Sequence, residues 1–431
     1  MRKIDGSSLR RTTLAAVAAL FAVVVIALTG DPAAAYQVRQ AQWYLDPLQI
    51  TQAQQLTRGR GVTVAVIDTG VDARIPELSG RVVAGSGFGP GQGSDGTHDV
   101  EGHGTAMAAL IAGSGGDDER VLGVAPEATI LPVQVLGAKG GGPDSAIAEA
   151  LRYAADHGAK VANLSLGGQG RISSELLSAI RYAQSKDVVV VAAAGNVANG
   201  DRDVSGIAAV PGVVAVSGIG QNGDAWDGSA KGPETVVSSA AMNIIVPTRS
   251  GEGLGYRLSD GTSQATAITS GVIALIRAQH PDLDAANVIE RLISTVQDKG
   301  PTGRDDAYGF GEVQAYAALT GNVQKVTANP LQSESDGTPN ETTPTGPANP
   351  SVQPIPMQPA QPQPGQPQAG QPQAGGAQSD NSLLIVVVAV SGALMGLIVI
   401  AAAAVLIVVL RRRSQPVSTY YPYAGYRPPG Y

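Results

Sequence analysis

The sequence predicts an α/β fold with a mostly parallel central sheet covered by helices on both faces, followed by one C-terminal transmembrane helix. Three observations carry this. Between residues 36 and 328 short β-branched runs alternate with helical stretches, the order of a layered α/β domain. Those runs are nearly continuous in apolar residues, as in strands buried on both faces. Residues 383–410 carry no charge at all.

The N-terminus sets Arg2, Lys3, Arg10 and Arg11 before an apolar run at residues 14–28, and Ala33-Ala34-Ala35 follows. Basic, apolar, then small is the order of a secretory signal peptide, assigned to residues 1–35. Strands are expected at residues 62–67, 129–135, 160–166, 188–193 and 213–216, each ended by Gly, Asp or Asn, with helices at 144–157 and 174–186. Low aromatic content beside many Ala, Val and Gly fits close-packed α/β layers.

Residues 329–380 turn abruptly to Pro, Gln, Gly, Ser and Thr, including GQPQAGQPQAGG. Such a stretch cannot bury enough apolar surface to order itself, so it reads as a linker. Residues 381–410 read as a membrane span: as a helix the uncharged part would be about 42 Å long, against a hydrocarbon core of about 30 Å. Arg411-Arg412-Arg413 follows at once, which puts residues 411–431 in the cytoplasm and the large domain outside.

There is no cysteine, which removes thiol catalysis, disulfides and Cys-ligated zinc together. The net charge of −7 argues against a nucleic-acid partner, which needs clustered Lys and Arg. Only His98, His103, His157 and His280 can supply an imidazole.

Asp68 ends the first strand in Val64-Ala65-Val66-Ile67-Asp68-Thr69-Gly70, where α/β sheets place their sites. Alone, Asp-Thr-Gly equally opens a turn or caps a helix. His103 lies between Gly102 and Gly104 at the start of an apolar helix, so a substrate backbone can approach its ring. A metal set of His98, Asp99, Glu101 and His103 competes, but ligands on one helix face need spacings of three or four, and this stretch reads as loop. No metal or cofactor is assigned. The acidic Asp117-Asp118-Glu119 is a conceivable calcium loop and equally an exposed charged one. Ser263 opens a long apolar helix within Gly261-Thr262-Ser263-Gln264-Ala265-Thr266, where N–H groups and the helix dipole favour developing negative charge. Standing alone it would be an ordinary N-cap serine. Asn196 ends Ala192-Ala193-Ala194-Gly195-Asn196 with an amide able to donate to an oxyanion.

Taken together, the segments around Asp68 (IDTG), His103 (GHGT), Asn163 to Gly168 (NLSLGG), Asn196 (AAAGN) and Ser263 (GTSQAT) resemble the motifs of the subtilases, subtilisin-like serine proteases, over residues 36–319. The resemblance implies Asp68, His103 and Ser263 as a catalytic triad, Asn196 as an oxyanion donor, and Ser165, Leu166 and Gly167 as the edge against which a substrate strand pairs. Gln42-Trp43-Tyr44-Leu45, the signal peptide, the Pro-rich linker and the terminal span resemble the mycosins, membrane-anchored subtilases of type VII secretion. That likeness implies a secreted polypeptide as substrate and a membrane secretion complex as partner. The chain departs from those patterns in having Ala267 where subtilases carry proline and in lacking the disulfides of mycosins. The stretch between the expected cleavage site near Tyr36 and the first strand is too short for the folded propeptide of many secreted subtilases. Two other readings share these residues: a structural component of the secretion complex with proteolysis secondary, and an esterase, which the absence of a Gly-x-Ser-x-Gly elbow disfavours.

Overall fold

Runs of β-branched residues form the strands β1 (Thr63–Asp68), β3 (Thr129–Gln134), β4 (Val161–Leu164), β5 (Val189–Ala193) and β6 (Val214–Ile219), and the short β2 (Ser86–Gly87) and β7 (Val237–Ala240) flank them. In this computed structural model, which describes residues 38–116, 120–137, 141–167, 170–250, 253–332 and 421–422, they make one parallel sheet in the order β2-β3-β1-β4-β5-β6-β7. All five strands expected from the sequence form. The expected signal peptide, the membrane span, nearly all of the linker and tail, and the Asp117–Glu119 loop lie outside the described residues. Among the described residues no helix is long and apolar enough to cross a membrane.

The helices are α1 (Val38–Ala41), α2 (Ile50–Ala53), α3 (His103–Ala112), α4 (Asp144–Asp156), α5 (Ser174–Ser185), α6 (Thr262–Gln279), α7 (Ala285–Ser294) and α8 (Ala315–Thr320). Right-handed crossovers from β3 to β4 and from β4 to β5 put α4 and α5 on one face, where they pack together. α6 lies across β4 to β7 and against α3, so this pair covers the other face. The β2-α3-β3 passage therefore has the uncommon left-handed sense. Its consequence is functional: the first turns of α3 and α6 meet on one face, over the same end of the sheet.

The chain leaves β1 toward β2 but leaves β4 toward β5, so the strand order reverses between these neighbours. Crevices at such a switch point, beyond the carboxyl ends of the strands, are where α/β sheets bind ligands. Asp68 closes β1 there, and Ser165 follows β4 directly.

An antiparallel hairpin of β8 (Ile244–Ser250) and β9 (Gly253–Ser259), with Ile244 opposite Ser259, leads into α6. The Gly261 N–H donates to the Ala241 carbonyl at 2.9 Å, so the helix starts in fixed register with the end of β7. α6 runs unbroken through Ala267. Tyr421–Pro422 pairs antiparallel with β9, Tyr421 opposite Tyr256. Past residue 328 the chain still touches the domain: the Gly212 N–H donates to the Leu331 carbonyl at 3.0 Å and the Asn329 amide to the Gly212 carbonyl at 3.2 Å.

Candidate active site

Asp68, the last residue of β1, is fully buried. Its Oδ1 accepts the Thr69 N–H at 2.7 Å, and both carboxylate oxygens stand 2.9 Å from His103 Nδ1. An anion on Nδ1 fixes the tautomer that protonates this nitrogen and leaves Nε2 as the basic one. The flanking glycines make the approach possible. Gly102 turns with φ 106°, a left-handed conformation that only glycine adopts freely. At Gly104 a Cβ would lie 2.1 Å from the Gly70 carbonyl oxygen and 3.1 Å from Asp68 Cβ. Burial alone would lower the imidazole pKa, but the Asp68 charge and hydrogen bond, with Glu101 and Asp99 beyond, outweigh it and push His103 up to about 9.

Ser263 is the second residue of α6. Its hydroxyl donates to the Ser165 carbonyl at 3.2 Å, and among the described residues no hydrogen bond joins it to His103. Ser263 and His103 nevertheless line one cleft of about 580 Å³, together with Asn196, Ser165, Leu166 and Gly167. Such a hydroxyl–base bond commonly forms only once substrate is bound.

Asn196 leaves β5 through Gly195, whose φ of +114° again requires glycine. The Asn196 Oδ1 accepts from the Thr262 N–H at 3.0 Å and from the Thr262 hydroxyl at 3.1 Å. With the oxygen so occupied, the amide nitrogen is the group left to face the cleft. Beneath the turn that carries Ser263, the buried Asn163 donates to Ser165 Oγ at 3.0 Å and accepts from Ser270 Oγ at 3.0 Å. Ser165 Oγ passes the chain on to the Ser263 carbonyl at 2.9 Å.

Six of the seven candidate site residues thus line one crevice, and the seventh, Asp68, lies buried behind His103. The metal alternative does not converge. His98 is largely exposed and comes only within 4.0 Å of Asp95, while Asp99 gives its oxygens to N–H and O–H donors. Among the described residues no group of three or more His, Asp or Glu side chains is arranged to hold a metal. In the sequence Thr262 stands out only as a neighbour of Ser263, Asn163 only as the start of a motif, and Asp99 only as a candidate metal ligand. Asn163 had a signal, since it lies two residues before Ser165 and so on the same face of the strand end.

A hydroxyl at a helix N-terminus, an imidazole anchored on a buried carboxylate and a free amide donor, all opening on one cleft, are the equipment of acyl transfer. Residues 59–311 match the model of the Subtilase family. Mycosin-3 of Mycobacterium tuberculosis is 34% identical over 332 residues, covering 63% of this chain and 70% of that protein. Among solved structures, the serine protease MycP1, described as an essential component of the type VII (ESX-1) secretion system, aligns with a TM-score of 0.58 at 31% identity, covering 67% of this chain and 90% of its own. MycP1 with its N-terminal propeptide removed aligns with a TM-score of 0.55 at 30% identity, over 66% of this chain and 99% of its own.

Proposed function

The chain belongs to the subtilase family of serine proteases, and from that premise we propose that it is an exported, membrane-anchored endopeptidase whose triad is Asp68, His103 and Ser263. The observation that carries the reading is the buried Asp68 carboxylate 2.9 Å from His103 Nδ1, with Ser263 across the same cleft at the start of α6.

In this mechanism His103 Nε2 takes the Ser263 proton as Oγ attacks a peptide carbonyl, then delivers it to the leaving amine. Asp68 holds the ring and stabilises the imidazolium. The Asn196 amide and the Ser263 N–H receive the oxyanion, helped by the α6 dipole. The Ser165–Gly167 edge pairs with the substrate as an added strand. A fluorophosphonate, which phosphonylates activated serines, should label the full chain, and Ser263→Ala should abolish labelling. A mutant that is still labelled would remove Ser263 from the role.

The likeness to Mycosin-3 and MycP1 supports a secreted polypeptide as substrate and work beside a type VII secretion complex at the plasma membrane. If the chain acts there as a scaffold, deletion will stop secretion while Ser263→Ala will not. The single-pass topology rests on residues 381–410 and Arg411–Arg413, and it puts domain and tail on opposite faces. The pairing of Tyr421 with β9 requires them on the same face. Protease added to intact protoplasts decides between the two: the topology predicts that the domain is shaved off and residues 411–431 survive.

A further inference from the structure

The loop entering α3 is organised around one carboxylate. Asp99 Oδ1 accepts from the Thr69 hydroxyl at 2.7 Å, the Gly102 N–H at 2.7 Å and the Glu101 N–H at 3.0 Å. Its Oδ2 accepts from the Thr105 N–H at 2.8 Å and the Thr105 hydroxyl at 2.5 Å. The two hydroxyls carry the connection further. Thr69 Oγ1 accepts the Gly104 N–H at 3.0 Å, and Thr105 Oγ1 accepts the Asp72 N–H at 2.8 Å. One side of this ring is the segment that begins with Asp68. The other is the first turn of α3, which carries His103.

We infer that Asp99 is a positioning residue for the general base, clamping the first turn of α3 to the end of β1 so that His103 Nδ1 meets the Asp68 carboxylate. The inference rests on the triad reading above. Asp99 does not line the cleft that holds Ser263 and His103, so it acts through His103 and not on substrate. A carboxylate is the group that can do this. It presents only acceptors, and the donors it meets include N–H groups of a helix entry that have no partner within the helix. An amide of the same shape would turn an N–H toward one of those donors. The charge of Asp99 also bears on His103. The charged groups facing the ring are Asp68 from β1 and Asp99 and Glu101 from the loop, and all three favour the imidazolium. Across the cleft Ser263 and Asn196 carry no charge.

The test reads the rate of fluorophosphonate labelling of the full chain against pH, with melting temperature measured in parallel. Asp99→Asn should be labelled at least roughly ten-fold more slowly on the alkaline plateau, since a misplaced base costs about that much or more. Its acid-limb midpoint should move down by roughly half to one pH unit, because removing a nearby negative charge makes the imidazolium easier to deprotonate. Thr105→Val keeps the charge and should be slowed without a shift of midpoint, and Thr105→Ser should restore the wild-type rate. A stabilising role alone would lower the melting temperature and leave rate and midpoint untouched. A folded Asp99→Asn chain with an unchanged plateau or an unmoved midpoint therefore overturns the inference. If Asp99→Asn does not fold, equal rates for Thr105→Val and Thr105→Ser overturn it. Ser263→Ala keeps the two readings apart: if that variant is still labelled, the triad itself fails, whereas if its labelling is abolished and Asp99→Asn behaves as wild type, only the Asp99 inference falls.

Discussion

Ser165 and Ser263 are joined twice: the Ser165 hydroxyl donates to the Ser263 carbonyl at 2.9 Å, and the Ser263 hydroxyl donates to the Ser165 carbonyl at 3.2 Å. The first bond holds the turn at the start of α6 onto the end of β4. The second holds the hydroxyl of the proposed nucleophile until substrate draws it to His103. Because Ser165 Oγ also accepts from the fully buried Asn163, Ser165→Ala strands an amide donor away from water. Such a group costs roughly 1–3 kcal/mol. Thermal unfolding at pH 5, where a protonated His103 keeps self-digestion slow, should show that loss. A wild-type melting temperature would mean the network contributes nothing.

Asn196 offers a sharper test of the proposed oxyanion site, because its Oδ1 is already held by Thr262. Asn196→Ala should lower kcat by roughly 10²–10³ with KM within a few-fold, the loss seen when a subtilisin is deprived of its oxyanion asparagine. Asn196→Asp can keep the Thr262 bonds but turns a negative charge toward the developing oxyanion, so it should be slower than Asn196→Ala. The reverse ranking, measured on one peptide substrate, would mean that the amide points elsewhere.

The reach of the sequence follows from where each signal resides. Asp68, His103 and Ser263 were legible because each sits at a strand end or helix start that its own neighbours define. β7 was not, since Ser238 and Ser239 are fully buried there, and serines in a short run read as loop until packing is known. The β8–β9 hairpin was missed as well, though Ile244-Ile245-Val246 is apolar, because its second strand, GLGYRLS, has two glycines and no β-branched residue and so does not read as a strand. Asp99 was weighed as a metal ligand. Its real partners are hydroxyls and N–H groups from β1 and α3, and no spacing rule brings those together.

The pH profile follows from His103. With its pKa pushed up to about 9, the ring is charged at neutral pH and cannot accept a proton, so labelling of Ser263 should rise with pH through a midpoint well above 6.5. Stability should run the other way. A group whose pKa is raised by folding stabilises fully below its unfolded value and ceases to do so as pH rises through its folded value. The window here is therefore pH 6.5 to about 9, and the contribution is roughly 3 kcal/mol. In a Ser263→Ala background, where self-digestion is absent, the melting temperature should fall across that window. Adding His103→Gln should flatten the curve. Parallel curves would show that the Asp68–His103 pair does not titrate in this range.

The segment ahead of β1 is built into the domain. Tyr44, Leu48 and Ile50 are fully buried, and Trp43 Nε1 donates to the Met242 carbonyl at 2.9 Å. The Gln42 side chain both donates to the Leu122 carbonyl at 2.8 Å and accepts the Leu122 N–H at 2.9 Å, while the Leu48 carbonyl accepts from the Ala315 N–H at 2.9 Å. None of these residues lines the cleft that holds His103 and Ser263. A chain beginning at Thr57 loses the large, fully buried side chains of Tyr44, Leu48 and Ile50, at about 1.5–3 kcal/mol each, and it leaves Leu122 and Met242 with unpaired polar groups. It should therefore melt well below a chain beginning at Tyr36, with no gain in labelling rate per folded molecule. MycP1 with its N-terminal propeptide removed frames the opposite outcome. If the shorter chain keeps its melting temperature and is labelled faster, the segment restrains the enzyme instead of completing its fold.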